Sequence, residues 1–511
     1  MAQLTPVQEY YKGKTVFITG ASGFMGKVLL EKLLYSCSEL KEVIIMMRPK
    51  RGKVPESRLD EMFKIPIFQR IKEEKPEVLK KVTLVQGDVT FDTLGLNGDN
   101  LKLITNNTNI VFHMAATLKL EGNLKDAIDM NTTGTKRVLD IAKNMPNLEA
   151  LIHVSTAFCN CDQEVMYEKV YEFPHKPEDL IRLAEWMDVK MLDNITPELL
   201  KPHPNTYTYS KRLAEILVRD HYPTLPVIIA RPSIVTPAHM EPLPGWVDNL
   251  NGPTGVMIGA GKGVIRSMIC NGELKSEIIP VDIAVNGLIV LPYHNSQLAK
   301  KPDRVPVFNI TCSDNKKKTW KWIMDVGKQF AFDYPFEIGL WYPDGNMTTN
   351  KLYHWFCVIF FMWLPAYVID FLLFIFRQKR FMVRVQTKIA TGLELLQFFT
   401  TRAWDFKSDN FMRAFYGLNE KDREIFKMNT DDLDELEYMK HSFLGGRQYV
   451  MKEPPSSLPR SRSQLKFLYV LDRACKIIIL GTLLYWVYLK LGLNTMNTPL
   501  SDAVTMQNIK P

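Results

Sequence analysis

The first 295 residues alternate short apolar runs with longer segments of helical periodicity. Several of the runs are rich in β-branched residues, which is typical of strands, and the segments between them have the length of helices. This alternation predicts βαβ units and a doubly wound, parallel α/β sheet. The predicted strands are Val16–Ile18, Val43–Met47, Val82–Val85, Ile110–His113, Leu151–Val154 and Val227–Ala230, and the predicted helices include Lys27–Leu34, Asn131–Lys143 and Tyr207–His221.

The chain beyond residue 295 has a different pattern of apolar and polar positions. A less regular segment is followed by a mostly helical region, a segment rich in Pro, Ser and Arg, and a final apolar run. The Pro- and Ser-rich composition around residues 452–463 predicts an exposed linker. We therefore expect a division into an α/β domain at 1–295, an irregular connection at 296–350, a C-terminal helical domain at 351–447, a linker at 448–472 and a transmembrane tail anchor at 475–493.

Two apolar stretches are candidate membrane segments. Residues 477–493 are near the short limit for a span, and Lys490 can extend to the interface. Residues 355–376 are long enough, but they contain Pro365 and Asp370. If both crossed, the basic residues that flank the region between them would lie in the lumen, against the positive-inside tendency. We expect a tail anchor at the C terminus and a shallow hairpin or interfacial helix at 355–376, with a buried core helix as the alternative.

Composition narrows the class of protein. Of the 511 residues, 46% are hydrophobic and 23% charged, which is typical of a globular protein. The net charge of +8 fits phosphorylated ligands or an anionic membrane surface, and we expect no nucleic-acid partner. The seven cysteines form no Cys-x-x-Cys pair, which argues against zinc ribbons and favours a reducing compartment. The N-terminal residues have no apolar signal core.

A glycine-rich turn follows the first predicted strand. In "VFITGASGFMG", the strand leads directly into a Gly-x-x-Gly-x-x-Gly turn, and a helical pattern begins at once. Such a turn lets the backbone approach a pyrophosphate, which then lies at the helix N-terminus. The sequence therefore predicts a Rossmann-like dinucleotide site. Its turn consists of Thr19, Gly20, Ser22, Gly23, Phe24, Met25 and Gly26.

The end of the second strand, "MMRPKR", indicates which dinucleotide is bound. An NAD site usually places an acidic residue there, where it accepts hydrogen bonds from the ribose hydroxyls. This chain has Arg48, followed by Lys50 and Arg51. A guanidinium can hold a 2′-phosphate with paired donors, so NADPH is favoured over NADH. The alternative is an ordinary basic surface loop.

Tyr207 and Lys211 are candidates for acid–base chemistry. They are four residues apart and share one face of a predicted helix, whereas Tyr209 lies on the opposite, apolar face and is expected in the core. A nearby ammonium should lower the pKa of the phenol by roughly one to three units. Tyr207 could then protonate an oxygen on which negative charge develops as hydride arrives.

Several segments together resemble the extended short-chain dehydrogenase/reductase superfamily over residues 14–290. They are the glycine turn preceded by Thr19, "GDVT", "FHMAA" and "NTTGT". The resemblance implies that Lys211 holds the nicotinamide ribose and that Thr156, with Ser155 as the alternative, binds the substrate oxygen. It also implies further cofactor contacts at Asp88, Val89, Ala115, Ala116 and Pro232.

A closer resemblance spans nearly the whole chain. "EWMD", "ARPSIV", "EPLPGWVDNLNGPTG", "GAGKG" and "PVD", together with the C-terminal helical region, closely resemble the eukaryotic alcohol-forming fatty acyl-CoA reductases. The resemblance implies that two NADPH reduce a long-chain fatty acyl-CoA to a primary alcohol and CoA through an aldehyde, with substrate-lobe segments within 235–295. It also implies an intracellular membrane, that of the endoplasmic reticulum or the peroxisome, with the catalytic domain in the cytosol and membrane lipid as a partner. The sequence does not decide whether the chain forms homo-oligomers.

Two other functions are compatible with parts of the pattern. A hydroxysteroid dehydrogenase-like enzyme of the same superfamily should prefer NADH and would lack this C-terminal region. A non-catalytic scaffold that senses NADPH would not need Tyr207 and Lys211.

Overall fold

A parallel seven-stranded sheet forms the centre of the protein, which we describe from a computed structural model covering residues 3–50 and 52–490. The strands are ordered β11-β7-β5-β4-β1-β2-β3, which is a doubly wound, Rossmann-like arrangement. The sheet strands are β1 (Thr15–Thr19), β2 (Glu42–Met47), β3 (Val82–Gln86), β4 (Ile110–His113), β5 (Ala150–Val154), β7 (Val227–Pro232) and β11 (Val307–Ile310). Short two-stranded pairs use β6 (Val165–Met166), β8 (Ile234–Thr236), β9 (Ser267–Ile269), β10 (Ile278–Pro280), β12 (Asn346–Thr348) and β13 (Asp405–Phe406).

The structure confirms the predicted fold class and all six predicted strands. It adds β11, which pairs in parallel with β7 at the edge of the sheet. The sequence prediction ended the sheet at residue 295 and took the following segment as irregular, so it missed this strand. A four-residue run with no adjoining alternation of strand and helix gives too weak a signal to assign.

Helices cover both faces of the sheet and form most of the C-terminal half. The helices of the α/β part are α1 (Pro6–Tyr11), α2 (Phe24–Ser36), α3 (Pro55–Phe63), α4 (Gln69–Glu74), α5 (Gly98–Asn107), α6 (Leu124–Ala127), α7 (Gly134–Ala142), α8 (Pro177–Trp186), α9 (Val189–Leu200), α10 (Thr206–Asp220), α11 (Gly252–Gly261) and α12 (Val281–Ser296). Those that follow are α13 (Trp320–Asp333), α14 (Lys351–Val358), α15 (Leu364–Ile375), α16 (Met382–Thr400), α17 (Asp409–Tyr416), α18 (Glu420–Ile425), α19 (Glu435–Gly445) and α20 (Leu458–Lys490).

The core lies on both faces of the sheet because successive side chains of a strand point in opposite directions. In β1, Val16 and Ile18 pack into one buried cluster with helices α2 and α12. Phe17, between them, packs into a second cluster with α7 and α10. The residues of β1, including the polar Thr15 and Thr19, are buried, which is typical of a parallel strand covered by helices on both sides.

Helices α17 and α18 of the C-terminal half are part of the same core. Phe411 of α17 is fully buried and belongs to the cluster that contains Val16 and Ile18. Asp422 of α18 accepts hydrogen bonds from the Thr5 hydroxyl and from the backbone N–H of Val7 near the N-terminus. The N-terminal segment and helix α18 are therefore held together by buried contacts.

Most residues of the predicted linker at 452–463 are exposed, but its second half is helical. Helix α20 begins at Leu458, and Pro459 lies in its first turn, where a proline is tolerated. Before the helix, the buried carboxylate of Glu453 accepts from Lys262 at 3.0 Å and pairs with Arg447. A composition rich in Pro and Ser is shared by linkers and by helix starts, and here it marks a helix start.

Residues 351–400 form a helical hairpin: α14 and α15 make the first leg, α16 makes the second, and the connection at 376–381 is its tip. The Asp370 carboxylate caps the second leg, accepting from the backbone N–H groups of Met382 at 2.8 Å and Val383 at 3.0 Å. The first leg is exposed, with Trp355 64% and Phe371 61% accessible. The alternative of a buried core helix at 355–376 is therefore wrong.

By length and composition alone, one helix among the described residues could cross a membrane, and it is the first leg of the hairpin, Lys351–Ile375. The apolar residues of α20 from Ile477 to Leu489 are also exposed. Residues 491–493 of the predicted tail anchor lie outside the described residues. The structure thus presents exposed apolar surface at both places predicted from the sequence.

Candidate active site

A cavity of about 1140 Å³ runs from the carboxyl end of β1 into the C-terminal helices. This position, beyond the carboxyl ends of parallel strands, is where open α/β sheets bind ligands. The predicted site residues that line the cavity are Gly20, Ser22, Gly23, Phe24, Met25, Gly26, Arg48, Asp88, Val89, Ala115, Ala116, Ser155, Thr156, Tyr207, Lys211 and Pro232. Thr19 does not line the cavity. Its buried hydroxyl lies 2.8 Å from the Nδ1 atom of His113 and accepts a hydrogen bond from the backbone N–H of Met114.

The glycine turn is closed against the neighbouring strand. Gly20 has a φ of +82°, and a Cβ there would lie 2.7 Å from the backbone nitrogen of Ala115. A Cβ on Gly26 would lie 2.3 Å from the carbonyl oxygen of Gly20. Only glycine fits at either position. The turn therefore brings bare backbone and the start of helix α2 to the cavity wall, which fits a pyrophosphate.

A basic cluster lies at the end of the cavity nearest the glycine turn, which we call the nucleotide end after the predicted dinucleotide site. Arg48 pairs with Asp88 at 3.1 Å, and the Arg58 guanidinium donates to the Ser22 hydroxyl at 3.3 Å and to the Arg48 carbonyl. Burial, and then the neighbouring charge of Arg48, lower the pKa of Arg58, so an anion there would stabilise its charged form. Lys50 also lines the cavity, whereas Arg51 lies outside the described residues.

Arg58 was missed by the sequence analysis. It lies in helix α3, ten residues beyond Arg48, and no motif marks it. Its position beside the cavity becomes visible only when the fold brings α3 against the glycine turn. The same holds for the walls that the C-terminal helices add to the cavity.

Helix α10 presents Tyr207 to the cavity and Tyr209 to the core, as predicted. Asn205 caps the helix by accepting from the backbone N–H of Thr208 at 3.0 Å, so Tyr207 lies in the first turn. Tyr209 is fully buried, and its hydroxyl is 2.7 Å from the Nδ1 atom of His175. The two tyrosines therefore have different surroundings although they are two residues apart.

The predicted electrostatic effect of Lys211 on the phenol is wrong for this structure. Burial raises the pKa of Tyr207 well above that of a free phenol, opposed by a side-chain hydrogen bond from Thr156. The Lys211 ammonium donates instead to the carbonyl oxygen of Val154 at 2.7 Å. Burial lowers the pKa of Lys211 to about 8, opposed by the charge of Glu215. The Tyr207 phenol is thus protonated at neutral pH.

The two candidate hydroxyls follow β5 directly. Thr156 accepts from the backbone N–H of Phe158 at 3.3 Å and so begins a short 3₁₀ turn. Ser155 and Thr156 are both buried and both line the cavity. Behind them, the buried pair Arg231 and Glu215 is joined at 2.6 Å. Ser155 and Thr156 therefore present two hydroxyls to the cavity that Tyr207 also lines.

The remainder of the cavity is mostly apolar and is built from parts of the chain outside the α/β alternation. Helices α11, α13 and α16 line it, together with residues of β9 and β12. Met268 and Trp320 are buried there and pack with Leu393 and Leu396 of α16. The cavity thus joins a polar nucleotide end to a long apolar end, and Tyr207, Ser155 and Thr156 lie on its wall.

Comparison with known proteins agrees with this arrangement. An NAD-binding family model described as "Male sterility protein" matches residues 18–288, and a second model with the same description matches residues 361–453. The chain is 35% identical over 463 residues to fatty acyl-CoA reductase 1 of Gallus gallus, covering 90% of this chain and 89% of that protein. It is 35% identical over 468 residues to fatty acyl-CoA reductase wat of Drosophila melanogaster, covering 91% and 90%.

Solved structures share the fold at much lower identity. The terminal R domain of the myxalamid PKS-NRPS pathway superposes with a TM-score of 0.55 at 14% identity, covering 87% of this chain and 91% of that one. The reductase domain of a nonribosomal peptide synthetase from Mycobacterium tuberculosis has the same TM-score and identity and covers 87% and 93%. The family predicted from the sequence is confirmed: the chain belongs to the fatty acyl-CoA reductases, oxidoreductases with a nicotinamide cofactor.

Proposed function

We propose that this protein reduces long-chain fatty acyl-CoA to the primary fatty alcohol, with release of CoA. The observation that carries the proposal is the composition of one cavity, which has a dinucleotide turn at one end, Tyr207 with Ser155 and Thr156 on its wall, and a long apolar region beyond them. A fatty acyl chain needs such an apolar region, since each buried methylene is worth about 0.8 kcal/mol. A small polar substrate would not need it.

The residues support a two-step reduction at one site. A bound nicotinamide cofactor supplies the hydride. The Ser155 and Thr156 hydroxyls hydrogen-bond the substrate carbonyl oxygen, and the protonated phenol of Tyr207 donates its proton as that oxygen becomes negative. The hemithioacetal formed from the thioester loses CoA to give an aldehyde, whose carbonyl then takes the same position. Lys211 orients the nicotinamide ribose in this proposal.

NADPH is the cofactor that the basic cluster favours. The Arg58 guanidinium contacts the Ser22 hydroxyl of the glycine turn and the Arg48 carbonyl, and both arginines line the cavity. Guanidinium groups recognise phosphate with paired, charge-assisted hydrogen bonds. A 2′-phosphate would compete with Asp88 for the Arg48 guanidinium or bind it together with Asp88. NADH has no 2′-phosphate and cannot make this contact.

The exposed apolar surfaces favour membrane attachment. The hairpin exposes Phe371 and Phe374, and α20 exposes Ile477 and Ile478. We propose that α20 anchors the protein in an intracellular membrane, of the endoplasmic reticulum or the peroxisome, and that the hairpin lies in the cytosolic interface. The cavity is then close to long-chain acyl-CoA and to membrane lipid, and the catalytic domain is exposed to cytosolic NADPH.

The proposal is tested with the full-length protein in membranes, supplied with NADPH and a series of acyl-CoAs. Products are identified by mass, and free thiol and NADPH oxidation are measured in the same samples. We expect a primary alcohol, with two NADPH oxidised for each CoA released. Absence of alcohol from every acyl-CoA, with the cofactor bound, would refute the proposed function.

A further inference from the structure

Two helices of the C-terminal half each turn one face toward the apolar end of the cavity. On α13 the lining residues include Ile323, Gly327 and Ala331, and on α16 they include Val385, Gly392 and Phe399. Spacings near three, four and seven residues place such positions on a single helical face. The two helix faces therefore form two walls of the apolar end, which we call the channel.

Helix α16 connects the catalytic hydroxyls to the tip of the hairpin. Near its end, the Phe399 ring meets the Phe158 ring edge-on with centroids 5.4 Å apart, and Phe158 is two residues from Thr156. Val385, near its start, lies beside the segment capped by Asp370. From Phe399 to Val385 the helix rises about 21 Å, at 1.5 Å per residue. The channel wall thus leads from the reacting centre toward the surface proposed to meet the membrane.

Two glycines in these walls leave open space. A Cβ on Gly327 or Gly392 would meet no atom within 4 Å, and neither residue needs a positive φ. On α11 the opposite holds: a Cβ on Gly255 would lie 2.1 Å from the Leu250 carbonyl oxygen, so close packing requires glycine there. Glycine is a poor helix former. At Gly327 and Gly392 its effect on the local structure is to widen the channel.

We propose that the substrate's acyl chain lies along α16, with its thioester at Tyr207 and its methyl end toward the hairpin tip, and that Gly327 and Gly392 set the chain length accepted. This inference rests on the proposed function. A leucine at either position would project into the channel, where it would displace the distal part of a long chain. A short chain, which ends before that point, would still bind.

The test compares Gly392→Leu and Gly327→Leu with the wild-type full-length protein. We expect kcat/KM for a 16-carbon acyl-CoA to fall at least about tenfold, while that for an eight-carbon acyl-CoA stays within about twofold. The matched control is Gly98→Leu at the exposed start of α5, where a Cβ also meets no atom within 4 Å. It should leave both values unchanged. NADPH binding and thermal melting establish whether each variant is folded. If Gly392→Leu does not fold, the smaller substitution Gly392→Ala takes its place.

A binding measurement separates this inference from the proposed function. In detergent solution, a fluorescent polyene fatty acid of 18 carbons should bind Gly392→Leu about tenfold more weakly than wild type or Gly98→Leu. If wild type makes no alcohol but the binding difference is found, the proposed function fails and the channel stands. If alcohol forms but folded glycine variants keep the wild-type chain-length profile, or lose all chain lengths equally, the channel assignment is wrong.

Discussion

The Arg58 guanidinium donates to the Ser22 hydroxyl at 3.3 Å and so ties helix α3 to the glycine turn of the dinucleotide site. Its second terminal nitrogen donates to the carbonyl oxygen of Arg48. Two arginines that are ten residues apart in sequence therefore form one basic cluster at the edge of the cavity. The proposed NADPH preference therefore depends on Arg58 as well as Arg48, although no sequence motif indicates Arg58.

Replacing these arginines should weaken NADPH much more than NADH. Arg48→Ala or Arg58→Ala removes one charge-assisted contact to a 2′-phosphate, worth about 1.5–3 kcal/mol, so KM for NADPH should rise roughly tenfold to a hundredfold. KM for NADH should change little. Arg182→Ala, at a 73% exposed side chain on α8, is the control. An unchanged ratio of the two KM values in both variants would move the phosphate site to Lys50 or Arg51, or remove it.

Tyr207 and Tyr209 should respond differently to loss of the hydroxyl. Tyr207→Phe removes the proton donor, and the rate of alcohol formation should fall by about 10²–10⁴. Tyr209→Phe removes a hydrogen bond to His175 in the core, so it should cost about 1 kcal/mol of stability and leave activity within about twofold. Turnover and thermal melting of both purified variants provide the comparison. Equal losses of turnover in folded variants would show that Tyr207 is not the donor.

The pH dependence should show the titration of Lys211. Burial lowers its pKa to about 8, so in the free enzyme its ammonium is lost as pH rises through about 8 instead of near the ordinary value of 10.5. We expect kcat/KM for NADPH to fall above about pH 8, because this constant follows ionisations of the free enzyme. Lys211→Met should lose this pH dependence together with most of the activity. A wild-type profile that stays flat to pH 9.5 would contradict this assignment.

Burial of the Lys211 ammonium also affects the stability of the fold. Its contribution to the free energy of unfolding rises with pH, whereas that of a lysine in an ion pair falls. Between about pH 8 and 10.5 the unfolded chain holds the Lys211 proton and the folded chain does not. The free energy of unfolding should therefore rise with pH across this window as far as this group is concerned. Chemical denaturation of wild type and Lys211→Met at pH 7.5 and pH 10 measures this contribution. The free energy of unfolding of wild type, relative to that of the variant, should be higher at pH 10.

Membrane attachment should survive loss of the tail. A stop after Lys476 removes the exposed apolar end of α20 but keeps Asp472, which accepts from Arg266 at 3.1 Å and from the Trp341 indole at 2.8 Å. We expect the truncated protein to stay with membranes through its hairpin. Phe371, Phe374 and Phe376 of the hairpin are all exposed. Replacing these three residues by serine in the truncated protein should then release the protein to the supernatant.

Two outcomes would contradict this topology. Full release of the truncated protein without the serine substitutions would show that the hairpin does not bind lipid. Glycosylation of a sequon engineered into residues 401–447 of the full-length protein in cells would place that region in the lumen. The first leg of the hairpin would then cross the membrane. The same three serine substitutions in the full-length chain are the control, and that protein should stay bound through α20.

The sequence was sufficient for the features with local signals. The strand before Gly20 and the glycine spacing predicted the cofactor turn, and the four-residue spacing of Tyr207 and Lys211 predicted their shared helix. Apolar runs predicted both exposed membrane candidates. Each of these depends on residues that are close together in the chain, where periodicity and turn chemistry are informative.

The features that were missed depend on contacts between distant parts of the chain. Strand β11 joins the sheet only by pairing with β7, and Arg58 reaches the cavity only because the fold brings it to Ser22. The expected lowering of the Tyr207 pKa assumed that a shared helical face brings ammonium and phenol together. In the folded protein the Lys211 ammonium donates to the Val154 carbonyl oxygen instead, and burial has the largest effect on the pKa of Tyr207. Burial and competing partners are set by tertiary structure.

The most direct test of the central claim is the isotopic mass of the product formed from a 16-carbon acyl-CoA and NADPH that carries deuterium as its transferable hydride. Two hydride transfers at one centre predict hexadecanol with two deuterium atoms on its carbinol carbon, and Tyr207→Phe should make almost none. An aldehyde with one deuterium as the final product, or no labelled product from folded enzyme that binds NADPH, would contradict the assignment of this protein as an alcohol-forming reductase.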